Sequence, residues 1–151
     1  MFKQAIGIGV AAIVGLTSVA ALAAGAVPYK VVEDAIPEPL TAEAGNADRG
    51  REIMINRRLG NCLACHQVSA IPEQPFQGEV GPPLDGAGSR WTEGQLRLIV
   101  SNSKALFPDT IMPGFHRTEG LNRVAEKFQN KTILSAQEIE DVVAYLNTLK
   151  D

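Results

Sequence analysis

The sequence predicts an all-α fold of short helices joined by long loops. Two helix starts carry the capping-box pattern, at Thr92–Gln95 and at Ser135–Glu138. No segment shows the alternation of apolar and polar residues that marks a half-buried strand. Only 5% of the residues are aromatic. We therefore expect something other than aromatic side chains to fill part of the core.

The helices can be placed in order along the chain. The first should run from Asn46, a good N-cap, to about Leu59, with Gly50, Ile53 and Met54 on its inner face. Glycine inside a helix costs about 1 kcal/mol. We therefore expect Gly50 to mark a close approach to another helix, with Val142 or Tyr145 as the facing residue.

The later helices follow from the two capping boxes. The first box should open a helix that ends at about Asn102, and the second a helix that ends at about Leu149. A further short helix is expected over 121–128. The segments 67–90 and 104–117 contain several prolines and read as long loops, which inside a compact domain are usually functional.

The first part of the chain reads as an export signal. Residues 1–23 hold one charge, Lys3, then an apolar run that ends in the small-x-small pattern Ala21-Leu22-Ala23. Cleavage is expected after Ala23, with cleavage after Ala26 or an uncleaved anchor as alternatives. Export would place the protein in the periplasm. Residues 24–45 are then an extended arm that packs on the domain or meets a partner, and 46–151 form the domain.

Composition limits the class of protein. The chain has 151 residues and a net charge of −3, from 14 Lys and Arg against 17 Asp and Glu. The length fits one domain. The acidic balance argues against general nucleic-acid binding, which needs a basic face. Two cysteines are too few for a disulfide-rich scaffold.

Both cysteines lie in one motif, Cys62-Leu63-Ala64-Cys65-His66. C-x-x-C-H is the attachment pattern of c-type haem. The two thiols add to the haem vinyl groups, and the following histidine becomes the proximal iron ligand. A zinc site needs about four ligands, and the sequence has no second C-x-x-C to supply them. A thioredoxin-like redox motif expects a βαβ pattern, and the sequence predicts no strand. One motif predicts one haem c, with a zinc or disulfide binding module as the remaining non-redox alternative.

The distal ligand should be Met112. Methionine opposite histidine raises the reduction potential and suits electron transfer. Met1 leaves with the signal, and Met54 is explained by the core face of the first helix. Met112 lies in a turn fixed by Pro113. His116 is the rival ligand, and otherwise a surface histidine or one beside the propionates.

Other residues are expected around the haem. The carbonyl of Pro82 should accept the free ring N–H of His66 and so orient the ring. Leu84 belongs to the same Gly-Pro-Pro-Leu segment and should lie in the haem environment. Arg90 and Trp91 are candidates for hydrogen bonds to the propionates, with plain core packing as the alternative for Trp91.

The order of these elements resembles the class I cytochrome c fold over about Asn46–Lys150. Several stretches of the sequence are more specifically similar to the SoxX family of sulfur-oxidation cytochromes. The stretches that carry this resemblance are GNCLACH (60–66), GPPL (81–84), TIMPGF (110–115), GLNRV (120–124) and LSAQEIEDVVAYL (134–146).

The resemblance implies partners and an activity. SoxX pairs with SoxA, a haem subunit with a reactive cysteine, as an L-cysteine S-thiosulfotransferase that joins thiosulfate oxidatively to a cysteine of the carrier SoxYZ. The electrons leave through haem to a downstream acceptor. Once Cys62 and Cys65 hold haem, this chain has no free thiol, which implies a redox role only. A free periplasmic monohaem shuttle that serves an oxidase or reductase is the alternative.

Overall fold

The computed structural model describes residues 25–151, and the predicted signal segment lies outside the described residues. Within that range the chain forms helices α1 (Ala47–Ile55), α2 (Ala87–Arg90), α3 (Glu93–Asn102) and α4 (Ala136–Leu146). Single turns of 3-10 helix occur at Cys62–Ala64, Ser103–Ala105 and Glu126–Phe128.

The all-α prediction is confirmed by the described part of the chain. Residues 25–151 contain no strand and only one isolated β-bridge, between Val32 and Ala35. No helix within this range is long and apolar enough to cross a membrane.

Helices α1 and α4 cross in close contact at Gly50, as the sequence predicts. A Cβ atom built on Gly50 would lie 1.9 Å from the carbonyl oxygen of Asp141 and 3.0 Å from the Cβ of Tyr145. Only a residue without a side chain allows the two backbones to approach this far. The crossing joins the first and the last helix of the domain.

The predicted helix starts are confirmed because capping is a local interaction. The side chain of Asn46 accepts a hydrogen bond from the Arg49 amide at the start of α1. Both capping boxes are complete, at Thr92 for α3 and at Ser135 for α4. The predicted end of α3 at Asn102 is confirmed as well.

Two helices end earlier than expected. Helix α1 ends at Ile55 rather than near Leu59, because the chain turns back and the Gly60 amide donates to the Ile53 carbonyl at 3.2 Å. Helix α4 ends at Leu146 rather than near Leu149, since the next residues form a tighter turn. The Leu149 amide donates to the Leu146 carbonyl, three residues back, at 3.1 Å.

Two loop predictions also need correction. The expected helix over 121–128 is reduced to the single turn Glu126–Phe128, because Gly120 and Arg123 adopt positive φ angles of 65° and 56°. In the other direction, the predicted long loop 67–90 contains the short helix α2. Gly86, with φ of 69°, turns the chain into that helix.

The arm packs across α3 and α4 instead of extending away. Ile36 and Leu40 are buried, and the Leu40 amide donates to a Glu140 carboxylate oxygen at 2.8 Å. The buried guanidinium of Arg97 pairs with Glu140 at 2.8 Å and donates to the Ile36 carbonyl at 2.9 Å. A buried charge is tolerated when it is paired and hydrogen-bonded. The ion pair therefore fastens the arm to both helices.

Candidate functional site

The cysteine motif forms one tight turn, which begins seven residues after the end of α1. Asn61 takes a left-handed conformation with φ of 49°, and the His66 amide donates to the Cys62 carbonyl at 3.0 Å. Cys62 and Cys65 are free thiols and are half-buried. Burial raises the pKa of the Cys62 thiol to about 12, so it is protonated at neutral pH.

The imidazole of His66 is held from two directions. Its Nδ1 lies 2.7 Å from the Pro82 carbonyl oxygen, and because a carbonyl only accepts, Nδ1 carries the proton. A Cβ built on Gly81 would lie 2.3 Å from the ring carbon Cε1, so the ring rests against the glycine backbone. Among the described residues no hydrogen bond reaches Nε2, which keeps its lone pair.

The loop that supports His66 is itself fixed by short contacts. The Gly81 amide donates to the Cys65 carbonyl at 2.8 Å, and the Leu84 amide donates to the Gln67 carbonyl at 2.9 Å. Arg90 is exposed, and its guanidinium donates to the carbonyls of Pro83 and Asp85. The hydrogen bonds of Arg90 thus go to this loop, and its propionate role stays a prediction.

Met112 lies in a second loop, 103–117, which we call the methionine loop. Its side chain is partly buried against the core. The Met112 amide donates to the Thr110 hydroxyl at 3.1 Å, and the Ser103 hydroxyl donates to the Met112 carbonyl at 2.9 Å. Ser103 follows α3 directly, so the end of this helix determines where the methionine lies.

Trp91 connects α3 with the methionine loop. Its ring packs edge-to-face against Phe107, with centroids 6.2 Å apart and planes at 77°. The Phe107 amide donates to the Ser103 carbonyl at 2.9 Å. Trp91 and Leu84 are both partly buried against the core. Packing accounts for Trp91 here, and its propionate role stays a prediction.

The expectation that His116 is a surface residue is wrong. Its side chain is only 1% exposed, and both ring nitrogens are used. The Val27 amide donates to Nε2 at 2.9 Å, and Nδ1 donates to the Leu134 carbonyl at 2.9 Å. No ring nitrogen is left for iron, so His116 does not compete with Met112 in this structure.

The donor groups fit a c-type haem better than a zinc ion. Within residues 25–151 no three His, Cys, Asp or Glu side chains come together as a metal site. Haem attachment needs instead two thiols, one imidazole nitrogen and apolar surroundings. Large apolar side chains are exposed in the loops that carry these groups and Met112: Phe76 at 85% and Val80 at 66% before Gly81, and Ile111 at 80% next to Met112. These side chains leave apolar surface for a cofactor to cover.

Gly81 is the site residue that sequence reasoning missed. Its neighbour Pro82 could be proposed from chemistry, since a ligand histidine needs a carbonyl acceptor. The need for glycine at 81 depends on how closely the loop approaches the ring, which no local pattern encodes. The buried role of His116 was missed for a similar reason, because Val27 is 89 residues away in sequence.

Comparison with known proteins gives concordant results. The model of the cytochrome c family, described as "Cytochrome c", matches residues 47–150. One chain of the crystal structure of SoxXA from P. pantotrophus is 48% identical, with a TM-score of 0.76. The match covers 82% of this chain and 95% of that chain. A search of curated proteins found no match.

Proposed function

We propose that this chain, which belongs to the cytochrome c family, is the monohaem electron-transfer subunit of a SoxAX-type complex. The observation that carries the proposal is the setting of His66. Its ring directly follows the second cysteine, is fixed by Pro82 and Gly81, and leaves Nε2 for iron. The 48% identity with a chain of SoxXA points to the assembly.

Four residues would hold the cofactor. Cys62 and Cys65 are the covalent attachment points, His66 Nε2 is the proximal ligand and Met112 is the distal one. A haem c bound there supplies an iron that accepts and releases one electron. Thioether ligation by Met112 raises the reduction potential relative to a second histidine.

The chain's own residues tune this site. The Pro82 carbonyl keeps the proton on Nδ1 of His66, which increases the electron density that Nε2 offers the metal. Leu84 and Trp91 supply apolar surface. Arg90 holds the loop beside His66 and has further N–H donors, which we assign to a propionate.

The chain takes part in the thiosulfotransferase reaction without a nucleophile of its own. Joining a cysteine thiolate to the terminal sulfur of thiosulfate forms one S–S bond and releases two electrons. Cys62 and Cys65 are the only cysteines in the sequence, and the haem consumes both. The thiolates must therefore come from a SoxA-like subunit and a SoxYZ-like carrier, while this chain receives electrons one at a time.

The proposed setting is the periplasm. Residues 1–23 direct export, and attachment of haem follows. The partners are a SoxA-like haem subunit, a SoxYZ-like carrier protein and a downstream electron acceptor.

The test is purification of the natively exported holoprotein from its own cells, followed by haem staining of copurified chains. A stable complex with a second haem subunit is expected. Its haem should be reduced by thiosulfate in the presence of the carrier only when both subunits are present. A red, monomeric protein that exchanges electrons but ignores thiosulfate would contradict the proposal and indicate a free shuttle.

A further inference from the structure

We propose that His116 is a positioning residue for Met112, and that it acts by tying the methionine loop to the N-terminal arm. The inference rests on the proposed ligation of iron by Met112. It concerns what keeps that ligand in place when other molecules compete for the iron.

The returning leg of the methionine loop is fixed to the end of α3. The Phe115 amide donates to the Val100 carbonyl and the His116 amide donates to the Ser101 carbonyl, each at 3.1 Å. These carbonyls belong to the last turn of α3, where carbonyl oxygens have no amide donors within the helix. The backbone of the loop therefore follows the helix end closely.

The ring of His116 adds two contacts that the backbone cannot make. A neutral imidazole has one donor and one acceptor, and here both are used in a buried position. Nδ1 donates to the Leu134 carbonyl just before α4, and Nε2 accepts from the Val27 amide of the arm. The backbone already joins the loop to the segment before α4, because the Leu134 amide donates to the Phe115 carbonyl at 2.9 Å. The link that only the ring supplies is therefore the one to the arm.

The chain between Met112 and His116 has little freedom. Pro113 fixes its own φ angle. A Cβ built on Gly114 would lie 3.1 Å from the Ser101 carbonyl oxygen, so this residue lies against α3. On the other side, the Ser103 hydroxyl donates to the Met112 carbonyl. A shift of His116 is therefore transmitted to Met112, because the residues between them are too constrained to absorb it.

Imidazole added to the oxidised holoprotein provides the measurement, because it binds iron only after Met112 leaves. His116→Asn keeps an N–H for Leu134 but loses the contact with Val27. In the chain cleaved after Ala23, as N-terminal sequencing of the purified protein establishes, Val27→Pro removes the amide N–H and leaves the buried histidine in place. Loss of one hydrogen bond should raise the apparent affinity for imidazole about three- to tenfold in each variant.

The matched control is Thr41→Val, which removes an arm contact that involves no residue of the methionine loop, the 2.7 Å bond from Thr41 to Gln137. Its imidazole affinity should equal that of the wild type. Equal affinity in all four proteins overturns the proposal, and so does an equal rise in the control. If His116→Asn fails to fold, the imidazole affinity of Val27→Pro tests the proposal on its own.

The measurements distinguish a wrong assignment of Met112 as the iron ligand from a wrong role of His116. If oxidised wild-type protein lacks the long-wavelength absorption band of methionine-ligated haem, Met112 is not the ligand. If the band is present and both variants bind imidazole as the wild type does, only the role of His116 is wrong.

Discussion

The two sides of the haem site are built differently. On the proximal side, His66 is hydrogen-bonded to Pro82, 16 residues away. Arg90, eight residues after Pro82, donates hydrogen bonds to carbonyls of the same loop. On the distal side, His116 contacts Val27, 89 residues away. One side is a self-contained loop, whereas the other needs the arm to arrive from the opposite end of the chain. The contacts that hold His66 are thus close in sequence, whereas those that hold the methionine loop join distant parts of the chain.

Met112→Ala should give the largest effect, because it removes the proposed distal ligand outright. The haem should stay covalently attached through Cys62 and Cys65, the methionine–iron band should vanish, and the reduction potential should fall. Absorption spectra, redox titration and haem-stained denaturing gels measure these three properties.

Met54→Leu is the matched methionine control. Met54 is fully buried in α1, and a change of similar volume costs under about 1.5 kcal/mol. This variant should keep the band. A band that persists in Met112→Ala would refute the ligand assignment.

Gly81→Ala should disturb the proximal side next. The new Cβ would lie 2.3 Å from Cε1 and 2.6 Å from Nδ1 of His66, so the ring or the loop must shift, which disturbs the hydrogen bond to the Pro82 carbonyl. We expect the free energy of unfolding to fall by about 1–3 kcal/mol and the potential to rise as His66 becomes less electron-rich. Denaturant unfolding and redox titration test this.

The control for Gly81→Ala is Pro83→Ala, which keeps the backbone carbonyl and adds no atom beside His66. It should leave the potential unchanged. A wild-type potential and stability in Gly81→Ala would show that the loop yields easily, which would weaken the contrast between the two sides.

The smallest effects should come from a pair of hydrogen-bond deletions, one on each side. Ser103→Ala removes the donor to the partly buried Met112 carbonyl and should cost about 0.5–1.5 kcal/mol of stability, with tighter imidazole binding. Arg90→Gln removes hydrogen bonds of an exposed side chain and should lower the stability by less than Ser103→Ala does. It should leave the affinity for imidazole unchanged. A rise in imidazole affinity for Arg90→Gln would contradict the separation of the two sides.

The sequence predicts best what depends on neighbouring residues. Asn46, Thr92 and Ser135 start helices because each cap bonds an amide a few positions on. The helix crossing at Gly50 could also be predicted, since glycine inside a helix is unfavourable and therefore indicates close packing against another helix. The haem motif itself follows from covalent chemistry.

The remaining features depend on contacts distant in sequence. Arg97 reads as an ordinary charge on a helix, yet it is buried because Glu140 and the arm carbonyl of Ile36 surround it. His116 likewise reads as polar and exposed until the arm covers it. Such residues have no local pattern, because their partners arrive only when the fold closes.

The donor to His116 has a consequence for maturation. Val27 directly follows Ala26, one of the two candidate cleavage points, and lies four residues beyond Ala23, the other. Cleavage after Ala23 leaves a neutral amide facing the ring, whereas cleavage after Ala26 places the terminal amine at that position. Cleavage at both points would therefore yield two forms of the mature protein that differ in the group next to His116.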